Sequence, residues 1–194
     1  MIDFEQLKHE VNHCTKCALS KTRTNAVFGE GFDKAEIMCV GEGPGYYEDL
    51  QGRPFVGKSG RLLDKILAAC GFNRAEYVFI GNIVKCRPPN NRDPLPEERE
   101  SCLPYLYQQI EYINPKIIIL LGSTALKGLI DPNAKITKVR GEWMQWNNRL
   151  IMPTFHPSAL LRNEKLKRPV WEDFKKVVAK YRDLVNEKHQ SPNC

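Results

Sequence analysis

The sequence predicts an α/β fold: a three-layer α/β/α sandwich around a central, mostly parallel sheet of four strands, preceded by an N-terminal extension. Three observations carry this expectation. Short apolar runs rich in β-branched residues alternate with longer segments of helical periodicity. Gly, Pro and Asn cluster between them. A polar residue also follows each of three apolar runs: Glu42 after residues 37–40, Asn82 after 77–80, and His156 after 150–152 and a short loop. In a parallel sheet, side chains just past the carboxyl ends of the strands converge on one crevice, which is where such folds bind ligands.

Residues 4–13 carry Phe4, Leu7 and Val11 at helical spacing and lead into Cys14-Thr15-Lys16-Cys17. A polar stretch with turn signals at Gly29-Glu30-Gly31 reaches a first strand at 36–40. A loop rich in Gly, Pro and charge spans 41–58, and loops of that length in compact domains are usually functional. Residues 59–70 form an amphipathic helix with Leu62, Leu63, Ile66 and Leu67 on one face, stopped by Gly71. A second strand at 77–84 precedes the breaker-rich segment 87–94. The next helix, 96–114, starts with Pro96, gains from Glu97 and Glu98 in its first turn, and ends at Pro115. Residues 116–121 are a central, fully buried strand. Gly122-Ser123 opens a short helix to Gly128, 136–146 reads as a strand, Asn147-Asn148 as a turn, and 149–152 as the fourth parallel strand or its hairpin partner. A helix over 169–187 closes the fold, with Val170, Phe174, Val177, Val178, Tyr181 and Val185 inward.

A chain of 194 residues, 42% hydrophobic, suffices for one domain with a real core. The expected division is an extension at 1–35 and an α/β core at 36–187. The longest apolar run, Ile117–Leu121, is far too short to span a bilayer, and the first fourteen residues are too polar for a secretory signal. The expectation is a cytoplasmic protein with no membrane partner. The net charge of +6 is concentrated near the candidate crevice, at Arg53, Lys58, Arg61, Lys85, Arg87 and Arg162 among others, a distribution suited to phosphate backbones or to a solvated surface.

Seven cysteines are too few for a disulfide scaffold of this length. Cys14 and Cys17 form a CxxC knuckle, while Cys86 and Cys102 bracket the proline-rich segment. Four thiolates from two distant regions can hold a tetrahedral zinc or an iron–sulfur cluster, and spacing alone does not choose. Cys39 and Cys70 read as core residues, and Cys194 as uninvolved.

Residues 52–59, Gly-Arg-Pro-Phe-Val-Gly-Lys-Ser, match the phosphate-loop pattern GxxxxGK[ST]. The context argues against it. No strand leads directly into the loop, Pro54 lacks an amide donor, and no Asp ends another apolar strand. Gly41-Glu42-Gly43-Pro44-Gly45 likewise fails as a dinucleotide fingerprint, because Tyr46 occupies the third glycine position.

Taken together, 41–45, Glu48-Asp49, 52–57, the run 81–89 (Gly-Asn-Ile-Val-Lys-Cys-Arg-Pro-Pro) and 156–162 (His-Pro-Ser-Ala-Leu-Leu-Arg) resemble the family 4 uracil-DNA glycosylases. Five spaced motifs and four cysteines agree in order, from about Cys14 to the final helix. Two departures stand out: Gly43 where many relatives have alanine, and Tyr46-Tyr47 where residues are often acidic.

The resemblance implies removal of uracil from single- and double-stranded DNA, leaving an abasic site, as a base-excision repair step. It assigns Cys14, Cys17, Cys86 and Cys102 to a structural [4Fe-4S] cluster, with zinc the alternative. A flipped uracil would stack on Phe55. Asn82, with both a donor and an acceptor, would read O4 and N3–H, and His156 would donate to O2 as a neutral imidazole, assisted by backbone amides near Gly43. Glu42 would orient water or stabilise the cationic sugar, supported by Glu48. Leu160 is the expected apolar wedge, with Leu161 its alternative, and Arg162, Lys85 and Arg87 are expected phosphate contacts. The expected partner is uracil-containing DNA met by a monomer, with a sliding clamp left open. Competing readings are a non-catalytic nucleic-acid-binding module stapled by metal and, disfavoured by the loop context, an ATPase.

Overall fold

Ile117–Leu121 (β4) is buried at every position, because the sheet is covered on both faces. In the computed structural model, which describes the backbone of residues 2–190 and the side chains of 2–186, β4 lies beside Ile37–Gly41 (β2), and β2 beside Val78–Asn82 (β3). Arg149–Thr154 (β6) completes four parallel strands on the other side of β4. Cys194 lies outside the described residues.

Strand alternation sorts the apolar side chains into two cores. Met38, Val40, Ile118, Leu120 and Ile151 face one side, against Phe4–Asn12 (α1), Pro96–Ile113 (α4) and Ser123–Leu129 (α5) through Leu7, Val11, Leu106, Ile110 and Leu126. Ile37, Cys39, Ile117, Ile119 and Met152 face the other, against Lys58–Ala69 (α3) and Lys167–Gln190 (α8) through Leu63, Leu67, Val170, Phe174 and Val177. This is the expected three-layer sandwich.

The sheet nevertheless has six strands rather than four. Glu30–Gly31 (β1) and Met144–Trp146 (β5) pair antiparallel on its two edges, giving the order β1-β3-β2-β4-β6-β5. The expected long strand at 136–146 resolves into a helical turn, Ile136–Val139 (α6), and the short β5. Asn147 and Asn148, with φ of 46° and 62°, make the tight turn that folds β5 back on β6, so residues 149–152 satisfy both expected roles. Two further short helices lie where loops were expected: Tyr46–Gln51 (α2) inside the glycine-rich segment and Pro157–Arg162 (α7) after His156. Both stand at the carboxyl edge of the sheet, where they shape its crevice. Among the described residues no helix is long and apolar enough to cross a membrane.

Candidate active site

A cleft of about 760 Å³ opens at the carboxyl ends of the parallel strands. Its walls include Glu42 beyond β2, Asn82 ending β3, Gly122-Ser123-Thr124 beyond β4, and Phe155-His156 beyond β6, together with Phe55 and Glu48 from the intervening loop. The structure therefore brings together Glu42, Gly43, Glu48, Phe55, Asn82 and His156, with Arg162 at the rim.

Phe55 and Asn82 meet over a glycine. A Cβ on Gly41 would lie 2.6 Å from the Asn82 Oδ1 and 2.7 Å from Cζ of Phe55, so only glycine lets both approach. The Phe55 and His156 rings lie 5.6 Å apart, tilted by 31°. Asn82 is buried, and its Oδ1 has no hydrogen-bond partner among the described residues. A buried carbonyl left unpaired costs roughly 1–3 kcal/mol, which a ligand N–H facing it would recover.

Phe55 holds a left-handed backbone, φ 51°, unusual for a bulky residue and diagnostic of a loop held from outside. Arg74 supplies one clamp: its guanidinium donates to the carbonyls of Pro54 (2.7 Å) and Phe55 (2.6 Å) while paired with Asp64. Gly60 supplies another, since a Cβ there would fall 1.9 Å from the Phe55 carbonyl oxygen. Glu48 supplies the third. Its Oε1 accepts from the amides of Val56 (2.9 Å) and Gly57 (2.8 Å). Two of the amides that a phosphate loop would offer to a nucleotide are thus taken by a carboxylate of the same chain, which argues against that function for the GxxxxGK[ST] match.

His156 caps α7. Its Nδ1 accepts from the Ser158 backbone N–H (3.1 Å) and lies 2.9 Å from the Ser158 hydroxyl. An Nδ1 that accepts from an amide is unprotonated, so the ring proton sits on Nε2. Burial, aided by the positive charge of Arg162, pushes the imidazole pKa down to about 4. A neutral hydrogen-bond donor at neutral pH results. Glu42 accepts a short hydrogen bond from the Thr124 hydroxyl, and burial raises its carboxyl above the usual 4.5 despite that bond.

The expected DNA contacts fare unequally. Arg162 is exposed, and Arg87 is half-buried with its guanidinium 5.0 Å from the Tyr46 ring. Lys85 is a correction: only 1% exposed, it donates through Nζ to the Asn82 carbonyl (2.9 Å) and to Gln109 Oε1 (2.6 Å), so no phosphate reaches it. Leu160 is a second correction. It is 1% exposed within the core under α3 and α8, whereas Leu161, one position on and facing outward, is 48% exposed and takes over as wedge candidate.

Cys14, Cys17, Cys86 and Cys102 line a second, small cavity behind the cleft. Three of the sulfurs face N–H donors: Cys86 receives Arg23 Nη1 at 3.0 Å, Cys102 the Lys85 amide at 3.2 Å, and Cys14 the Lys16 amide at 3.5 Å. Among the described residues no group of three or more His, Cys, Asp or Glu is arranged to hold a single metal ion. The four thiols share an enclosure rather than a point.

Sequence reasoning missed Thr124, Ser158 and Arg74. Ser158 was legible as a helix-start signal two residues after His156 and Thr124 as part of the Gly-Ser-Thr strand exit, but Arg74 lies about twenty residues from the loop it clamps and left no local trace.

The family model of the uracil DNA glycosylase superfamily matches residues 28–175. A type-4 uracil-DNA glycosylase of Thermotoga maritima is 51% identical over 90% of this chain and 92% of its own length. That of Sulfurisphaera tokodaii is 48% identical over 91% of this chain and 84% of its own, and that of Archaeoglobus fulgidus 44% identical over 91% and 92%. Identity of this extent shows the family: the chain belongs to the uracil DNA glycosylase superfamily, among the type-4 uracil-DNA glycosylases.

Proposed function

We propose that this protein is a uracil-DNA glycosylase that hydrolyses the bond between C1′ of deoxyuridine and N1 of the base, releasing uracil and leaving an abasic site. The observation that carries this reading is the Asn82 Oδ1, without a partner among the described residues, in a cleft walled by Phe55 and His156. Uracil offers N3–H to that oxygen and O4 to the carboxamide N–H. Cytosine presents the opposite pattern and leaves two buried groups unpaired, a mismatch worth several kcal/mol. To enter the cleft the nucleotide must leave the stack, at a cost of roughly a few kcal/mol that stacking on Phe55 offsets.

As the glycosidic bond breaks, its electron pair passes to the base and the sugar becomes cationic. The Nε2–H of neutral His156 stabilises the anion growing at O2, with no proton fully transferred. Glu42, held by Thr124, faces the cationic sugar, orients the water that attacks C1′ and takes its proton as the C1′–O bond forms, while the uracilate is protonated from solvent on release. Glu48 acts through the loop it holds rather than on the substrate. Leu161 fills the space the base vacates, and Arg162 and Arg87 meet flanking phosphates.

The cysteine quartet supports a [4Fe-4S] cluster held by Cys14, Cys17, Cys86 and Cys102. N–H donors to three of its sulfurs suit thiolate ligands, which carry negative charge. When bound, such a group supplies a covalent cross-link between the N-terminal segment and the loop after β3. A brown protein with iron and sulfide in equal amounts is the expected readout, and a colourless zinc protein overturns the assignment.

Incubation with single- and double-stranded oligonucleotides carrying one uracil, followed by alkali, tests the activity. Strand scission at the uracil position is expected. Binding without scission leaves a nucleic-acid-binding module, and ATP turnover independent of uracil restores the disfavoured ATPase.

A further inference from the structure

Tyr46 and Tyr47 are the most exposed aromatic side chains among the described residues, at 50% and 57%. Both line the cleft, yet neither is needed to hold a uracil between Phe55, Asn82 and His156. Their rings meet edge to face, 5.4 Å apart at 80°, and both stay about half exposed. One cation lies over the Tyr46 ring and another follows the glycine beside Tyr47. The Arg87 guanidinium lies 5.0 Å from the Tyr46 ring and is steadied by Asn91 Oδ1 at 2.7 Å. Tyr47 packs beside Gly57, next to the exposed Lys58.

Resting on the glycosylase reading, we propose that Tyr46 and Tyr47 form a stacking platform for the base of the nucleotide adjoining the excised one on the same strand. The cleft has far more room, about 760 Å³, than one pyrimidine ring fills. Aromatic faces flanked by cations are what sequence-tolerant single-strand recognition uses: the ring takes any base and the cation its phosphate. The platform is also rigid. Asp49 ties α2 down by accepting from the amides of Thr24 (2.8 Å) and Asn25 (3.3 Å), while Glu48 bonds the loop opposite. Two ordered aromatic faces thus await a base at little entropic cost.

The test has two arms. In the first, KM and kcat are measured on single-stranded oligonucleotides whose residues next to uracil are intact or abasic on one side or the other. For the unaltered protein, abasic flanks on one side are expected to raise KM roughly tenfold, in line with base–aromatic stacking. The double variant Tyr46→Ala, Tyr47→Ala is expected to raise KM on the intact strand to the value the unaltered protein shows on abasic flanks, with no further rise on abasic flanks and kcat held, and Tyr46→Phe, Tyr47→Phe to restore the difference. A KM rise in the alanine variant that persists equally on abasic flanks, or no rise at all, overturns the platform. The second arm follows anisotropy of a uracil-free single strand against its abasic counterpart, where the unaltered protein should prefer the strand with bases and the alanine variant should not. Equal preference in both proteins overturns the proposal even if no uracil is released, an outcome that would separately overturn the glycosylase reading.

Discussion

The uracil cleft and the cysteine cavity flank one short segment, residues 82–86, and are finished in opposite ways. In the cleft the buried side-chain carbonyl of Asn82 lacks a partner among the described residues, a phenylalanine is held at φ 51°, and two tyrosines face solvent. In the cavity three of the sulfurs already face N–H donors, and α1 and α4 close over them. The first is built for a visitor that completes its bonds and leaves. The second suits a permanent occupant. Lys85 joins them: its amide donates to Cys102 and its ammonium to the Asn82 backbone carbonyl, so the cavity is tied to the main chain that carries the Asn82 carboxamide.

The sharpest way to break this contrast is Asn82→Ala. It should lower kcat/KM on uracil DNA by roughly 10³-fold or more, while affinity for uracil-free DNA, measured by anisotropy, changes less than about twofold. Equal losses would remove the readout role. His156→Asn should cost roughly 10²–10³-fold in kcat.

The pH profile sharpens the point. With the imidazole pKa near 4, His156 stays neutral at ordinary pH, so an acid limb of kcat that follows Glu42, raised above 4.5, should persist in His156→Asn. Stability obeys a separate sign. Between about 4 and the usual 6.5 the unfolded chain binds a proton that the folded His156 refuses, so stability falls as pH drops through that window, and the variant should flatten the slope in urea titrations.

Leu161→Ala should weaken excision from duplex DNA roughly tenfold and from single strands hardly at all, since no stack must be held open there. Leu160→Ala should instead cost about 2–5 kcal/mol of stability and leave the ratio of duplex to single-strand excision unchanged. The smallest effect on chemistry is expected in the cavity. Cys102→Ala should lower Tm by on the order of 10 °C, seen by calorimetry, yet change kcat of the folded protein only a few-fold.

The strands and most helices were legible because buried parallel strands write themselves as uninterrupted β-branched runs, as at 117–121. What failed was short or context-dependent. β1 is two residues long, and α6 sits in a stretch whose alternation suited a strand. Site residues at strand ends could be read because topology forces them together. Lys85 and Leu160 could not, since their orientations depend on packing that sequence periodicity does not reach: a lysine beside a proline-rich loop looks exposed, and adjacent leucines in a six-residue helix differ only by a 100° turn. Arg74 acts from a distance that no motif spans.

His156 begins a helix of six residues whose last full turn carries Leu161 and Arg162. In the proposed assignment, the group that meets the base and the groups that grip the strand are therefore spaced by a single rigid ruler, about 9 Å long at 1.5 Å per residue. Inserting one residue into it would swing the grip by 100° while leaving every atom of the reaction chemistry in place, so register between damage and backbone is written in helical pitch.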